Sequence, residues 1–370
     1  MLERLMTLQE VAEAVQVSVP TLRRAVKSGE LACARAGRRG QIRISQDQLD
    51  AFLRTRLQPA APSTSGSGLT IDGPEDAVGE VAVTVPVERA GPLPGGTSYR
   101  LLTSDVRVGL AALPAASVSS IVTSPPYYWQ RDYDVDGQIG HEASIEGYVS
   151  ALAAAFREAK RVLADDGTFF LNLGDAYYNA KGRPHGHDPK HSARLMARKR
   201  LRAVDGPGLG LPRKSLIGLP WRVALALQAD GWVLRSAIIW QRPNALGEPT
   251  GKDRPWRTYE NVFLFSKGPR YFFDRAGLGG SEDVWTIQAR PENPHAHCAP
   301  FPVELVERCL ACGCPPGGTV LDPFMGSGTT MVAAFRTGRS VVGVELKNDY
   351  AVLAERRLLK EAEKLPLRTA

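Results

Sequence analysis

Five consecutive residues, Thr123-Ser124-Pro125-Pro126-Tyr127, follow the strand-like run SVSSIV. Two prolines in a row donate no backbone hydrogen bond and hold φ near −65°. A strand must therefore stop there, with a hydroxyl, a rigid carbonyl and an aromatic ring gathered at its carboxyl end. That trio suits one kind of chemistry. An exocyclic amine on a base ring is a poor nucleophile, because its lone pair is delocalised into the ring. Two acceptors taking its hydrogens favour a tetrahedral nitrogen and free the lone pair. The Ser124 side-chain oxygen and the Pro125 carbonyl are placed to be those acceptors, and Tyr127 offers a flat face on which an extruded base can stack. Read alone, the same residues are equally a proline-rich turn with a packed tyrosine.

A second constellation breaks the tie. Thr319-Val320-Leu321-Asp322-Pro323-Phe324-Met325-Gly326-Ser327-Gly328-Thr329-Thr330 reads as a strand, a glycine turn and a helix start. Phosphate loops share this outline, but their lysine is absent and Asp322 ends the strand instead. A carboxylate there repels phosphate and suits the positive amino-acid end of S-adenosylmethionine. The next strand ends at Glu345, about 20 residues on, where a carboxylate can accept both hydroxyls of a ribose.

Together the two blocks resemble the amino-methyltransferase family of DNA-modifying enzymes, over residues 99–360. The catalytic block precedes the cofactor block, the order of the permuted class called beta. The resemblance implies a Rossmann-like α/β methyltransferase sheet, S-adenosylmethionine as cofactor and double-stranded DNA as partner. It makes Ser124, Pro125, Pro126 and Tyr127 catalytic. It assigns Asp322, Phe324, Gly326, Gly328, Thr329 and Glu345 to the cofactor. In this class an acid ending an earlier strand lies near the cofactor adenine, and Asp105 after Leu101-Leu102-Thr103-Ser104 matches it. Within His297-Cys298-Ala299-Pro300-Phe301-Pro302, Phe301 and Pro302 would line the methionine pocket. Asn172, Gly174 and Asp175 would shape the base pocket. A serine at position 124 is typical of cytosine-N4 enzymes, whereas adenine-N6 enzymes more often carry Asp, so cytosine is the expected base and adenine the alternative.

The elements that must position these residues are legible as alternation. SVSSIVTS, GTFFLNLG, WVLRSAIIW, NVFLFSK, GTVLDPF and SVVGVEL are strand-like, and IEGYVSALAAAFREAKRVLA and PVELVERCLACG are helical. Such alternation implies a mostly parallel sheet, whose ligands bind at the carboxyl ends of the strands. Residues 1–56 read as a separate domain. Thr7 and Glu10 form a capping box, Ser18 can cap a second helix over 19–28, GRRGQIRI suggests a basic wing, and SQDQLDAFLRT a third helix. This resembles the excisionase-like winged helix-turn-helix family, which would turn Thr21, Arg23, Arg24 and Lys27 toward DNA. Residues 57–98, dense in Pro, Gly and Ser, read as a flexible linker with room for one strand near EVAVTVPV. Two DNA-recognition inserts are expected, near 179–215 and 242–296. The first holds ten Lys/Arg against two Asp/Glu across 181–214, with Arg198, Lys199 and Arg200 at its centre. The second carries Arg254, Trp256 and Arg257.

Composition sets the outer bounds. The net charge is +7, which leans toward a polyanionic partner. No run of 18 apolar residues is present, so no membrane span is expected, and MLERLMTLQEV lacks an apolar signal core, which places the chain in the cytoplasm. Cys309, Cys312 and Cys314 lie around the end of an apolar helix and read as packing rather than zinc ligands, even with Cys298 or His297 as a fourth. His185, His187 and His191 read as a solvated basic loop, so no metal is expected. A homodimer and a cognate restriction nuclease stay open as partners. A regulator that merely senses S-adenosylmethionine is the competing reading from another class, and an RNA or protein-glutamine methyltransferase a third.

Overall fold

The computed structural model describes residues 6–8, 10, 11, 26, 31–36, 41–49, 86–130, 133, 135, 138–179, 203–243, 253–280, 282–289 and 301–364. The chain divides into two units, 1–79 and 80–370.

In the first unit, three short strands, β1 (Met6–Thr7), β2 (Ala34–Ala36) and β3 (Gln41–Ile44), form an antiparallel sheet in the order β1-β3-β2. The β2–β3 pair brackets the expected wing. The capping box is present in both directions. Thr7 N–H donates to Glu10 Oε2 at 2.7 Å, and Glu10 N–H donates to Thr7 Oγ1 at 3.2 Å. Ser45 and Gln48 make a second one ahead of the third helix. Leu8, Val11, Leu31, Ile44 and Leu49 form a small core. Arg23, Arg24 and Lys27 lie outside the described residues, as do Arg198, Lys199, Arg200, His297 and Cys298.

The second unit is one nine-stranded sheet. In chain order its elements are β4 (Val87–Leu93), β5 (Thr97–Thr103), α1 (Val106–Ala111), β6 (Val118–Thr123), α2 (Ile145–Val162), β7 (Leu163–Leu173), α3 (Leu219–Ala229), β8 (Val233–Gln241), β9 (Tyr259–Ser266), β10 (Val284–Thr286), α4 (Val303–Gly313), β11 (Thr319–Asp322), α5 (Thr329–Arg336), β12 (Ser340–Glu345) and α6 (Asn348–Ala362). Across the sheet the order is β10-β8-β9-β7-β6-β11-β12-β5-β4, and only the β4/β5, β7/β9 and β8/β9 pairs are antiparallel.

Successive strand residues point to opposite faces, and both faces are covered. Phe169, Leu102 and Ile121 face α1, α2 and α3 in one core; Phe170, Leu101 and Val122 face α4, α5 and α6 in the other. The consequence for function is topological. From β6 the chain winds through α2 to β7, and from β11 it winds the other way through α5 to β12. The crevice between β6 and β11 is thus a switch point, where open α/β sheets bind ligands.

One boundary differs from the sequence reading. The stretch expected to be linker as far as residue 98 is sheet from Val87. β4 pairs with β5 over its whole length, Val87 opposite Thr103 and Leu93 opposite Thr97. Of the Gly and Pro that suggest a linker, Pro94, Gly95 and Gly96 are the hairpin's turn, where Gly95 and Gly96 take φ of +84° and +78°. The strand also sits later than the EVAVTVPV segment, whose residues before 86 lie outside the described set.

Candidate active site

Five neighbouring strands deliver their carboxyl ends to one edge: β7, β6, β11, β12 and β5. The residues that end or follow β6, β11, β12 and β5 line a solvent-open cleft. Its walls include Asp105, Ser124, Pro126, Phe301, Asp322, Phe324, Gly326, Thr329 and Glu345. Residues nearly 240 positions apart in the chain are brought together by strand order alone.

Asp322 is buried at the end of β11 and is held by two hydroxyls and an amide. Thr123 Oγ1 donates to Oδ1 at 2.6 Å, Thr330 Oγ1 to Oδ2 at 2.6 Å, and Phe324 N–H to Oδ1 at 3.0 Å. These bonds clamp the glycine turn to β6 and to α5. Glu345 ends β12 and closes the same turn from the other side, accepting from Gly326 N–H at 2.7 Å and Lys347 N–H at 2.9 Å. Burial pushes the Asp322 carboxyl up to about 6. Burial, with the negative charge of Asp322 added, pushes Glu345 up to about 7. Two desolvated carboxylates thus share a cleft with the buried Ser327 hydroxyl, which has no hydrogen-bond partner. A ligand with positive charge and with hydroxyl and carboxylate groups would relieve all three, and S-adenosylmethionine is such a ligand.

Asp105 lines the cleft at the end of β5. It caps α1 through Arg107 N–H and pairs with the Arg107 guanidinium at 2.8 Å. Burial acts against its charge, yet the Arg107 hydrogen bonds outweigh it and hold the carboxyl below its usual range.

Two expected cofactor residues stand behind the cleft rather than in it. Gly328 caps α5 at φ +80°, and a Cβ there would lie 2.8 Å from Ala354 of α6. It lets two helices approach. Pro302 is the buried N-cap of α4 and sets Phe301 at the wall.

At the catalytic block, Ser124 and Pro126 face the cleft, while Pro125 is buried. Tyr148 of α2 donates to the Pro126 carbonyl at 2.9 Å, which occupies that carbonyl and not that of Pro125. Beyond it, Trp129 adopts φ +54° and donates its Nε1–H to Glu142 O at 2.7 Å, a costly conformation for an aromatic residue. Tyr127 packs on bare backbone, since a Cβ on Gly174 would come within 2.6 Å of its ring. Its hydroxyl lies 3.3 Å from Ser124 Oγ, 3.2 Å from Asn172 Oδ1 and 2.7 Å from Glu260 Oε2. Asp175 points elsewhere. It accepts from Ala176, Gly218 and Leu219 N–H and so anchors the start of α3.

Residues 118–356 match the DNA methylase family of N6 and N4 methyltransferases, and residues 5–57 match a helix-turn-helix domain. The chain is 43% identical over 270 residues to the type II methyltransferase M.Cfr9I of Citrobacter freundii, covering 70% of this chain and 88% of that one. It is 40% identical over 274 residues to M.SmaI of Serratia marcescens, covering 71% and 91%. This chain belongs to the DNA methylase family. Among solved structures, the methylase is similar in fold to the PvuII DNA methyltransferase (cytosine-N4-specific), with a TM-score of 0.55, 21% identity, and 75% and 96% of the two chains covered. A Thermus thermophilus protein solved with S-adenosyl-L-methionine gives a TM-score of 0.50 at 25% identity, over 71% and 94%. The methyl donor expected from the sequence, S-adenosylmethionine, agrees with these findings.

Sequence reasoning missed two parts of the site. Tyr133, Gln138, Ile139 and Tyr350 also line the cleft; the first three lie in a loop whose spacing carries no period, and Tyr350 is in the first turn of α6. Glu260 and Arg242 sit under Tyr127, joined at 2.8 Å. The signal was present in YENVFLF, where an acid and an amide precede an apolar run. Of the second expected DNA insert, Arg254 stacks its guanidinium 3.6 Å from the Tyr177 ring centroid, and Trp256 is 56% exposed. Cys309, Cys312 and Cys314 are buried in the second core. Burial pushes the Cys312 thiol up to about 12 and the Cys314 thiol up to about 11. Among the described residues no His/Cys/Asp/Glu group could hold a metal, and no helix is long and apolar enough to cross a membrane.

Proposed function

We propose that this methylase transfers the methyl group of S-adenosylmethionine to the exocyclic N4 of a cytosine flipped out of double-stranded DNA. The observation that carries the reading is the placement of Ser124 on the wall of the same cleft as Asp322 and Glu345. A hydroxyl there accepts from a neutral amine and adds no charge to a site that already has three carboxylates. In this reading Asp322 and Glu345 face the amino-acid end and the ribose, Asp105 faces the adenine, and Phe301 and Ser327 border the methionine chain. When bound, the cofactor supplies an electrophilic methyl at a sulfonium. Ser124 Oγ and the Pro125 carbonyl take the two amine hydrogens, which frees the nitrogen lone pair for direct attack. Tyr127 stacks on the base. No covalent enzyme–base intermediate is needed, in keeping with the burial of the three core thiols.

Arg254, Trp256 and Arg257 stand just ahead of β9 on the edge that carries the site, which supports a role for them against DNA. Arg198, Lys199 and Arg200 are proposed to contact phosphates, and Arg23, Arg24 and Lys27 to contact a groove. The reading carries with it a cytoplasmic location and a restriction nuclease of matching specificity; two copies of the chain would suit a symmetric site. The test is base-resolved methylation sequencing of DNA from cells expressing the chain, with Ser124→Ala beside it. Methyl marks at cytosine N4 within one sequence, lost in the variant, are the expected result. Marks at adenine N6 would overturn the base assignment, and an unmethylated genome would favour a regulator.

A further inference from the structure

We propose that Glu260 sets the hydrogen-bond direction of the amine cradle, through Tyr127, and takes up the proton that methyl transfer releases. This rests on the amine-methylation reading above. Glu260 opens the antiparallel strand β9, so it reaches the edge where the parallel strands end. Asn172 lies opposite Val262, and Trp240 opposite Glu260. Its two oxygens are used differently. Oε1 accepts from Arg242 Nη1 at 2.8 Å; Oε2 accepts from the Tyr127 hydroxyl at 2.7 Å and from Asn172 Nδ2 at 3.2 Å.

The direction of this row follows from what each group is able to do. Arg242 only donates and a carboxylate only accepts. The phenol has one proton, and the charged acceptor at 2.7 Å takes it in preference to the Asn172 amide oxygen at 3.2 Å. Burial and the negative charge of Glu260 both keep that phenol protonated, well above its usual range. With its proton committed to Glu260, the Tyr127 oxygen accepts from Ser124 Oγ–H, 3.3 Å away. The serine proton therefore points away from the cleft, and its lone pairs face the amine. A serine whose proton pointed into the cleft would oppose the amine hydrogens instead of receiving them.

The same row disposes of the released proton. Attack forms the N–C bond and breaks the S–C bond, and the nitrogen then carries the positive charge. The N–H proton passes to Ser124 Oγ, the serine proton to Tyr127 and the tyrosine proton to the Glu260 carboxylate. The products are a neutral methylated amine, a neutral thioether and a protonated Glu260. Its side chain, 13% exposed, returns the proton to solvent. Charge thus leaves the base without a water entering the pocket.

Glu260→Gln provides the test, because Arg242 dictates how a glutamine would sit. The amide oxygen must face Arg242, so its NH₂ faces Tyr127 and the row reverses. The single-turnover rate of methyl transfer to a mapped target duplex should fall about a hundredfold, with S-adenosylmethionine affinity by calorimetry and DNA affinity by fluorescence anisotropy within about threefold of the parent. Tyr127→Phe keeps the ring and cuts the row. Its loss should be similar in size, and adding Glu260→Gln to it should cost nothing more. Independent, multiplying losses, or a parental rate in a folded Glu260→Gln protein, would overturn the assignment to Glu260. Should Glu260→Gln fail to fold, the tyrosine variant alone decides, since a parental rate in Tyr127→Phe leaves no row to direct. The parent methylating some other group fails the amine reading itself, and is a separate result.

Discussion

At the residue scale, the cleft is built around two carboxylates whose burial raises their proton affinity. The sign of their pH dependence follows. A carboxyl whose folded pKa exceeds its unfolded value adds stability at low pH, and that stability is lost as pH rises through the folded value. For Asp322 the window runs up to about 6 and for Glu345 to about 7. The unliganded methylase should therefore melt at a lower temperature at pH 8 than at pH 5.5. A cationic ligand favours the ionised forms, so the thermal shift on adding S-adenosylmethionine should grow across the same range. Calorimetry near pH 6.5 should find protons released on binding. Glu345→Gln should weaken affinity roughly tenfold to a hundredfold, the cost of a charge-assisted hydrogen bond, and flatten the pH response. A thermal shift independent of pH between 5.5 and 8 in the parent would remove these carboxylates from the ligand site. Both residues were legible in the sequence, Asp322 because it ends a strand of strong β propensity next to a glycine turn, and Glu345 because it ends the following strand. What their types did not disclose is that Asp322 commits three hydrogen bonds to groups inside the protein. Asp322→Ala should thus cost stability as well as affinity, since it strips partners from two threonines and an amide.

At the element scale, the parallel core of the sheet could be read as alternation, and the strand runs all fall where expected. The antiparallel reversal at β9 could not, because NVFLFSK is apolar on both faces whichever way it runs. That reversal is what puts Glu260 beside Tyr127, so the missing element and the missing residue have one cause. The β4 edge was hidden for a different reason, since a hairpin turn and a linker share Gly and Pro. Close approach is the other property of elements that sequence leaves implicit. Gly174 lies where the end of β7 meets the Tyr127 ring, and a methyl there would stand 2.6 Å from Cε2. Gly174→Ala should displace the ring and cut methyl transfer at least tenfold. Overpacking of this kind costs on the order of 1–3 kcal/mol, so the melting point should fall by only some degrees. S-adenosylmethionine affinity should hold, since Gly174 is not part of the cleft wall. Parental methylation by this variant, with its melting point lowered, would mean that the ring position is immaterial to the reaction.

At the scale of the whole molecule, chemistry and a second nucleic-acid-type module lie in separate units. The first unit has its own caps, sheet and core, and residues 5–57 match a helix-turn-helix domain. Among the described residues, the cleft is lined by residues of the second unit, between Ser104 and Tyr350. A second DNA contact on the same chain raises the effective concentration of the first, without changing the barrier of the methyl-transfer step. Removing residues 1–56 should leave S-adenosylmethionine affinity and the single-turnover rate at saturating DNA unchanged. DNA affinity should weaken, and the slope of log affinity against log salt should become shallower, because fewer phosphate contacts release fewer counterions. Methylation sequencing at limiting enzyme should then show marks spread more evenly among sites of the same core sequence. Charge-reversing Arg23, Arg24 and Lys27 to Glu in the full chain should reproduce the deletion, which separates loss of contact from loss of the domain. Equal salt slopes and equal methylation patterns in both altered proteins would assign the first unit to docking a protein instead of DNA.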